Sequence, residues 1–379
     1  MHAVCLGVVK ATTNLWFKRS HARRSFHLGK KLTMINARLK NITPPYEFSR
    51  LPRSLCQRKF WKATEWRAWL LYYSPFVLNG VLPKPYLKNW CRFSAIMHAL
   101  LADVAALDRL GAIEAEIAVF MREYQDLYGC AQMTFNLHLI VHLCDSVRQW
   151  GPLWGFSAFP FENINGVIKK SFHGTQYVPQ QICRKPLLSQ FLPTLANSQR
   201  SFIGRPKVQL YFENLTRGYR RIFNVEEHAN AIAIGTGSRT LTSVEVDSIH
   251  NMSISTSAVT KYKKVFVNGT KYIAHCLNKT TRINSIVYLK DHTFGIIHSV
   301  LAICNVCVSS CVCDKSVYFF LQNVEASLLK FTPKFAHMQV LKAQDHYRIV
   351  GVHCVSQKCV AFVVTDNMYA SLLYKNIDY

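Results

Sequence analysis

The chain has 379 residues, half of them hydrophobic, with 46 Lys/Arg against 21 Asp/Glu and a formal net charge of +25. That length and apolar content can bury a substantial core in two domains or three units. Folding gains nothing from such an excess of cations, so the balance points to a polyanionic partner, most simply DNA or RNA. No apolar run is long enough to cross a bilayer; the best, 296–313, is broken by His298, Asn305 and Ser309-Ser310. Lys10, Lys18 and Arg19 interrupt any secretory signal, and thirteen scattered cysteines, an odd number, fit free thiols in a reducing compartment.

The charge is uneven. Residues 1–100 carry 18 Lys/Arg against two acids, Glu47 and Glu65. Trp16, Phe17, Phe26, Phe60, Trp61 and Trp66 are interleaved with these cations. Phosphate contact with base stacking is one reading; a cationic helical surface with its aromatics in the core is the other.

Residues 1–200 read as helical. Val4, Val8 and Leu15 give Met1 to Lys18 a near-helical spacing, and a second helix runs to about Asn41 after a basic linker, His21 to Lys31. Pro44-Pro45 and 49–58 form an extended connector. A helix is predicted over Trp61 to Tyr73, and Pro75 and Pro83-Lys84-Pro85 punctuate the next stretch. Ala112 to Tyr128 is the clearest helix, because Ile113, Ile117, Phe120, Tyr124 and Leu127 mark one buried face and Gly129 can end it. Phe135 to Gln149 is another, closed by Gly151-Pro152. Shorter helices are predicted over Glu162 to Phe172 and Pro179 to Leu192.

Residues 198–242 read as a basic linker, with a mobile stretch over Ala229 to Gly237. From Ser243 onward the texture is β. Tyr262 to Ile273 reads as two strands around Asn268-Gly269, and further short strands are predicted at 286–289, 294–297, 317–321, 339–341, 347–352 and 360–364. The predicted fold class is therefore α+β, a mainly helical half over 1–197 followed by a small β-barrel or sandwich over 243–379.

Three constellations carry possible chemistry. His138 and His142 lie four apart, a spacing that can bind zinc with Cys130 or Cys144, yet Leu137, Leu139, Ile140, Val141 and Leu143 around them favour packed core histidines. Cys304, Cys307, Cys311 and Cys313 read either as a zinc cluster or as a strand pair with small buried thiols. Glu162 reads either as a metal ligand or as an acid favoured at a helix start by the dipole. No phosphate-binding glycine loop and no Gly-x-Ser-x-Gly elbow occurs.

Several ordered blocks resemble the C-terminal half of CACTA-type (En/Spm-like) cut-and-paste transposases. They are Met1-His2 through Leu6-Gly7-Val8-Val9-Lys10, Lys62-Ala63-Thr64-Glu65-Trp66-Arg67, Asn136-Leu137-His138 through Leu143 with Asp145, Gly151-Pro152-Leu153, Ser157-Ala158-Phe159-Pro160-Phe161-Glu162-Asn163, and Pro179-Gln180-Gln181-Ile182. The resemblance covers about residues 1–185. It implies that the helical half is a remnant of an RNase H-like region in which three acids hold two magnesium ions for strand transfer. Glu162 matches the last of those acids, and the sequence holds no counterpart of the other two.

The expectation is therefore a transposase-like nuclear protein that is catalytically inactive and binds DNA without sequence preference. Mg2+ would enter only with a complete set of acids. Arg23, Arg24, Lys30, Lys31, Arg58, Lys59, Lys169 and Lys170 are the expected phosphate contacts. The alternative is a non-enzymatic chromatin or protein-interaction module that captures a protein partner through residues 243–379.

Overall fold

A computed structural model describes residues 1–102, 109–170, 173–184, 187, 191, 225–275, 285–304, 315–328, 337–364 and 367–373. The fold is α+β. Residues 1–156 and 224–378 make one compact unit, and 157–223 belong to a second. The compact units are thus drawn differently from the expected domains, since the helical half and the barrel share one.

The helical half opens with a π-helical segment, Ala3–Val9, that runs into α1 (Lys10–Phe17). Then come α2 (Leu32–Lys40), α3 (Ala63–Ala68) with its π-helical continuation Trp69–Tyr73, and α4 (Ser74–Val77). Next are α5 (Lys84–Leu100), α6 (Leu110–Tyr128), α7 (Phe135–His138) and α8 (Leu143–Trp150). The core of this half is α5, which buries Leu87, Trp90, Phe93, Ile96, Met97 and Leu100 among others. Pro85 is tolerated because it sits in the first turn, where no intrahelical N–H is needed.

Several buried polar side chains pair across the helices and fix how they meet. Trp16 Nε1 donates to Tyr128 Oη at 3.0 Å, Trp69 Nε1 to Thr13 Oγ1 at 3.1 Å, and Trp90 Nε1 to Ser74 Oγ at 2.7 Å. Asn89 Nδ2 donates to the Phe120 carbonyl at 3.0 Å, and Arg92 joins Glu116 and Glu123 across α5 and α6. Gly7 permits a close approach by the Asn136 side chain, since a Cβ there would lie 2.7 Å from Asn136 Cγ.

Eleven described strands complete the chain: β1 (Val225–His228), β2 (Ala231–Ile234), β3 (Val259–Tyr262), β4 (Lys264–Val267), β5 (Thr270–Ile273), β6 (Ile286–Leu289), β7 (Phe294–Ile303), β8 (Ser316–Leu328), β9 (Met338–Gly351), β10 (Val355–Val364) and β11 (Asn367–Leu372). Two further helices, α9 (Phe159–Lys169) in the second unit and α10 (Ser243–His250), precede β3. Residues 225–234 are therefore largely strand, although they fall within the expected linker and include part of its expected mobile stretch. Their alternating small apolar side chains pair β2 with β4 and build the sheet β1-β2-β4-β5. Asn268 and Gly269 both have positive φ, 48° and 76°, which is the backbone a two-residue hairpin turn needs between β4 and β5.

The larger sheet runs β3-β7-β6-β10-β11-β9-β8, and β8 also pairs with β7, so six strands close into a barrel. One edge of β7 carries β8 along its length; the other serves β6 at Phe294 to Ile296 and β3 at Val300 to Ile303. A bulge between Ile297 and Ser299 switches which side chains face which side. Phe294 and Ile296 pack with Leu341, Cys359 and Ala370. Beyond the bulge, Val300 and Ala302 pack with the four-stranded sheet, while Leu301 and Ile303 face Ile249 of α10. Glu245, buried in α10, accepts from Lys261 Nζ, Ser299 Oγ and the Thr242 N–H. Burial pushes its pKa up, but these donors outweigh that and hold it below the usual carboxylate value.

Barrel and helices meet along a buried seam. Lys358 Nζ lies 2.7 Å from Glu47 Oε1, and Phe76 packs on Tyr369 with ring centroids 4.9 Å apart. The rings of His98 and His337 stack at 3.6 Å; His337 Nε2 bonds the Leu71 carbonyl at 2.7 Å, and His98 Nε2 lies 3.2 Å from the Leu372 carbonyl. Among the described residues no helix is long and apolar enough to cross a membrane.

This packing is testable at two points. Gly7→Val drives a side chain into Asn136 and costs about 1–3 kcal/mol in chemical denaturation; adding Asn136→Gly recovers most of it. Burial holds the His98 and His337 pKa values down, His337 to about 4. The unfolded chain protonates first, near pH ~6.5, so stability present above that pH is lost as pH falls toward 4. Denaturant midpoints fall over that window, and the fall is shallower in His337→Phe.

Candidate nucleic-acid interface

The expected phosphate contacts sit in three places. Arg23, Arg24, Lys30 and Lys31 are exposed on the loop between α1 and α2. This loop is tied down by Leu28, whose N–H donates to the Trp16 carbonyl at 2.7 Å, and by Phe26, packed against Tyr86 and Tyr128. Lys31 reaches back to donate to the Val81 carbonyl at 2.7 Å. Lys169 and Lys170 are exposed in the second unit, at the end of α9 and just beyond it.

Arg58 and Lys59 belong to a 3-10 turn, Leu55–Phe60. Arg58 is half-buried there. Its Nε donates to Asn14 Oδ1 at 2.8 Å, its Nη1 to the Leu55 carbonyl at 3.1 Å, and its guanidinium lies 5.1 Å from the Phe17 ring centroid. Burial lowers its pKa. Arg58 thus clamps the turn onto α1, a packing role that the charge pattern did not reveal. Lys59 is exposed, with Nζ 4.7 Å from the Phe60 ring centroid.

Both acids of the first hundred residues are turned to internal contacts. Glu65 accepts Arg53 Nε at 2.5 Å, Arg53 Nη2 at 2.7 Å and the Lys62 N–H at 2.8 Å. Glu47 pairs with Lys358. Twelve of the eighteen cations in this stretch are exposed, among them Lys18, Arg19, Lys40 and Lys62. The aromatics divide as the packed-core reading requires for Trp16, Phe26, Trp61 and Trp66, all buried; Phe17 is half-buried and Phe60 is 64% exposed.

Glu162 lies exposed in the first turn of α9, where the helix dipole favours an acid. Among the described residues, no group of three His, Cys, Asp or Glu side chains could hold a metal ion, so they do not supply a two-magnesium site. His138 and His142 are not core residues. A 3-10 turn, Leu139–His142, shifts the phase between α7 and α8, so that Leu137, Ile140, Cys144 and Val147 form the buried stripe. Both imidazoles are exposed, with Nε2 atoms 3.3 Å apart. Cys144 faces the core, and burial pushes its thiol up to about 11. Cys304 is buried; Cys307, Cys311 and Cys313 lie outside the described residues, as does the expected linker over 198–224.

No family model matches the chain, and no curated protein matches it.

The two kinds of cation separate experimentally. Arg58→Ala loses two hydrogen bonds and a ring contact, and lowers unfolding stability by about 1–2 kcal/mol. Arg23→Ala and Arg24→Ala stay within roughly 0.5 kcal/mol of the parent in the same titration.

Proposed function

We propose that this chain is a transposase-derived protein that binds DNA without sequence preference and without cutting it. The observation that carries the binding is the charge arrangement of residues 1–100. Their two carboxylates are committed to internal ion pairs, while twelve cations stand exposed. A surface of that kind releases counterions when it meets a phosphate backbone, and this release supplies affinity without reading bases. Strand cleavage by the family chemistry needs a cluster of carboxylates around two ions, and the described residues bring no such cluster to Glu162. The CACTA-type ancestry rests on the sequence blocks that end at Phe159-Pro160-Phe161-Glu162-Asn163 and Pro179-Gln180-Gln181-Ile182. A protein of this kind would work in the nucleus.

The test is DNA binding by the purified full chain across a salt series, with Mg2+ and Mn2+ nicking assays in parallel. Affinity falls steeply with salt, independently of sequence, and no nicking is seen. The triple variant Arg23→Ala/Arg24→Ala/Lys30→Ala reduces the slope of log affinity against log salt by about 3. Binding that ignores salt, or its absence at low salt, refutes the interface. Nicking that disappears in Glu162→Gln refutes the inactive reading.

A further inference from the structure

Phe60 is the most exposed aromatic of the basic stretch. Its neighbour Trp61 is 7% exposed, and Trp16 and Trp66 are fully buried, whereas Phe60 is 64% exposed. The backbone beneath it is held at several points. Ser54 Oγ accepts from the Cys56 N–H at 3.2 Å, Asn36 Oδ1 from the Leu55 N–H at 2.9 Å, and the Phe60 carbonyl itself from Arg53 Nη2 at 3.0 Å. Arg58 adds the bond to Asn14. The ring is therefore presented on a fixed turn.

Its surroundings are cationic. Lys59 Nζ sits 4.7 Å from the ring centroid, and Arg58 lies over Phe17, whose next residues, Lys18 and Arg19, are exposed and begin the basic loop. Glu65, the acid nearest in sequence, is held by Arg53. An exposed aromatic face with an ammonium over it, a basic loop adjoining its turn and the acid nearest in sequence already paired suits a nucleobase flanked by phosphates. Within a duplex, bases are stacked on one another and offer only their edges in the grooves; an unpaired base offers its face.

We propose that Phe60 is a stacking platform for an unpaired base of a DNA strand, with Lys59, Lys18 and Arg19 contacting the adjoining phosphates. This rests on the DNA-binding reading above and adds a preference for single-stranded over duplex DNA. As the base stacks, the Lys59 ammonium leaves the ring for a phosphate, so the cation and the face serve the same strand.

Fluorescence anisotropy at low salt compares the full chain on a thymidine strand of about 20 nucleotides, long enough to span a single-strand site, and on a duplex of equal length. Phe60→Ala weakens single-strand binding roughly tenfold and changes duplex binding by less than about twofold. Phe60→Trp keeps the wild-type preference. Arg23→Ala/Arg24→Ala weakens binding to both substrates. Thermal melts of the Phe60 variants match the parent, since the side chain is exposed. The platform is overturned if Phe60→Ala leaves single-strand affinity unchanged or weakens both substrates equally while the parent still binds DNA. Failure of the parent to bind either substrate at low salt overturns the DNA-binding reading itself, and the platform with it.

Discussion

Glu65 accepts two bonds from the Arg53 guanidinium and one from the Lys62 backbone, with Arg50 Nη1 4.0 Å away. The carboxylate is only 9% exposed, so its charge is satisfied from the protein more than from water. That single group ties the start of α3 to the connector before it. The same Arg53 then holds the Phe60 carbonyl, so the exposed turn inherits its geometry from the ion pair. With Glu47 engaged by Lys358, no carboxylate in the first hundred residues is left to neutralise the surface. Folding and charge display are thus one arrangement: the acids that stabilise the interior are the acids missing from the outside.

The seam between helices and barrel obeys a similar logic at higher cost. Lys358 is 4% exposed and pairs with Glu47; burial lowers its pKa, and the carboxylate only partly restores it. Lys358 is the buried partner and Glu47 remains 27% exposed, so the pair's clearest effect is to penalise any docking that would leave the lysine buried alone. The His98–His337 stack adds two further polar groups with fixed carbonyl partners. Residues 1–156 and 224–378 therefore behave as one compact unit although the first is helical and the second mainly strand.

What could be read in advance depended on whether an element has one wet face. Helix α6 does, and Ile113, Ile117, Phe120 and Tyr124 of its stripe are buried as the spacing required, while Leu127 near its end is half-buried. The Asn268-Gly269 hairpin was legible because both residues tolerate the positive φ the turn imposes. Helix α5 was passed over although Leu87, Trp90, Phe93, Met97 and Leu100 recur at helical steps, because Pro83 and Pro85 at its start resemble punctuation. Strands β1 and β2 escaped because Ala231 and Ala233 acquire meaning only against β4. His138 and His142 were misplaced by assuming one unbroken helix where a 3-10 turn shifts the phase. At the candidate site, residue type identified the cations but not their duties; Arg58 and Arg23 look alike in sequence, and only packing against Phe17 and Asn14 separates them.

A net charge therefore overstates the contacts available to a polyanion. Arg38 donates to the Val77 and Asn79 carbonyls, Arg92 joins α5 to α6, and Arg58 braces its own turn. Such cations still set the long-range field that steers an anionic chain toward the surface, yet they cannot leave their positions to meet a phosphate without loosening the fold. Bracing also has a favourable side. A turn already fixed by Arg58, Arg53 and Asn36 loses little conformational freedom when something docks on it. Of the cations withheld from binding, Arg53 and Arg58 keep Phe60 and Lys59 in place, so a count of free charges understates what the engaged ones contribute.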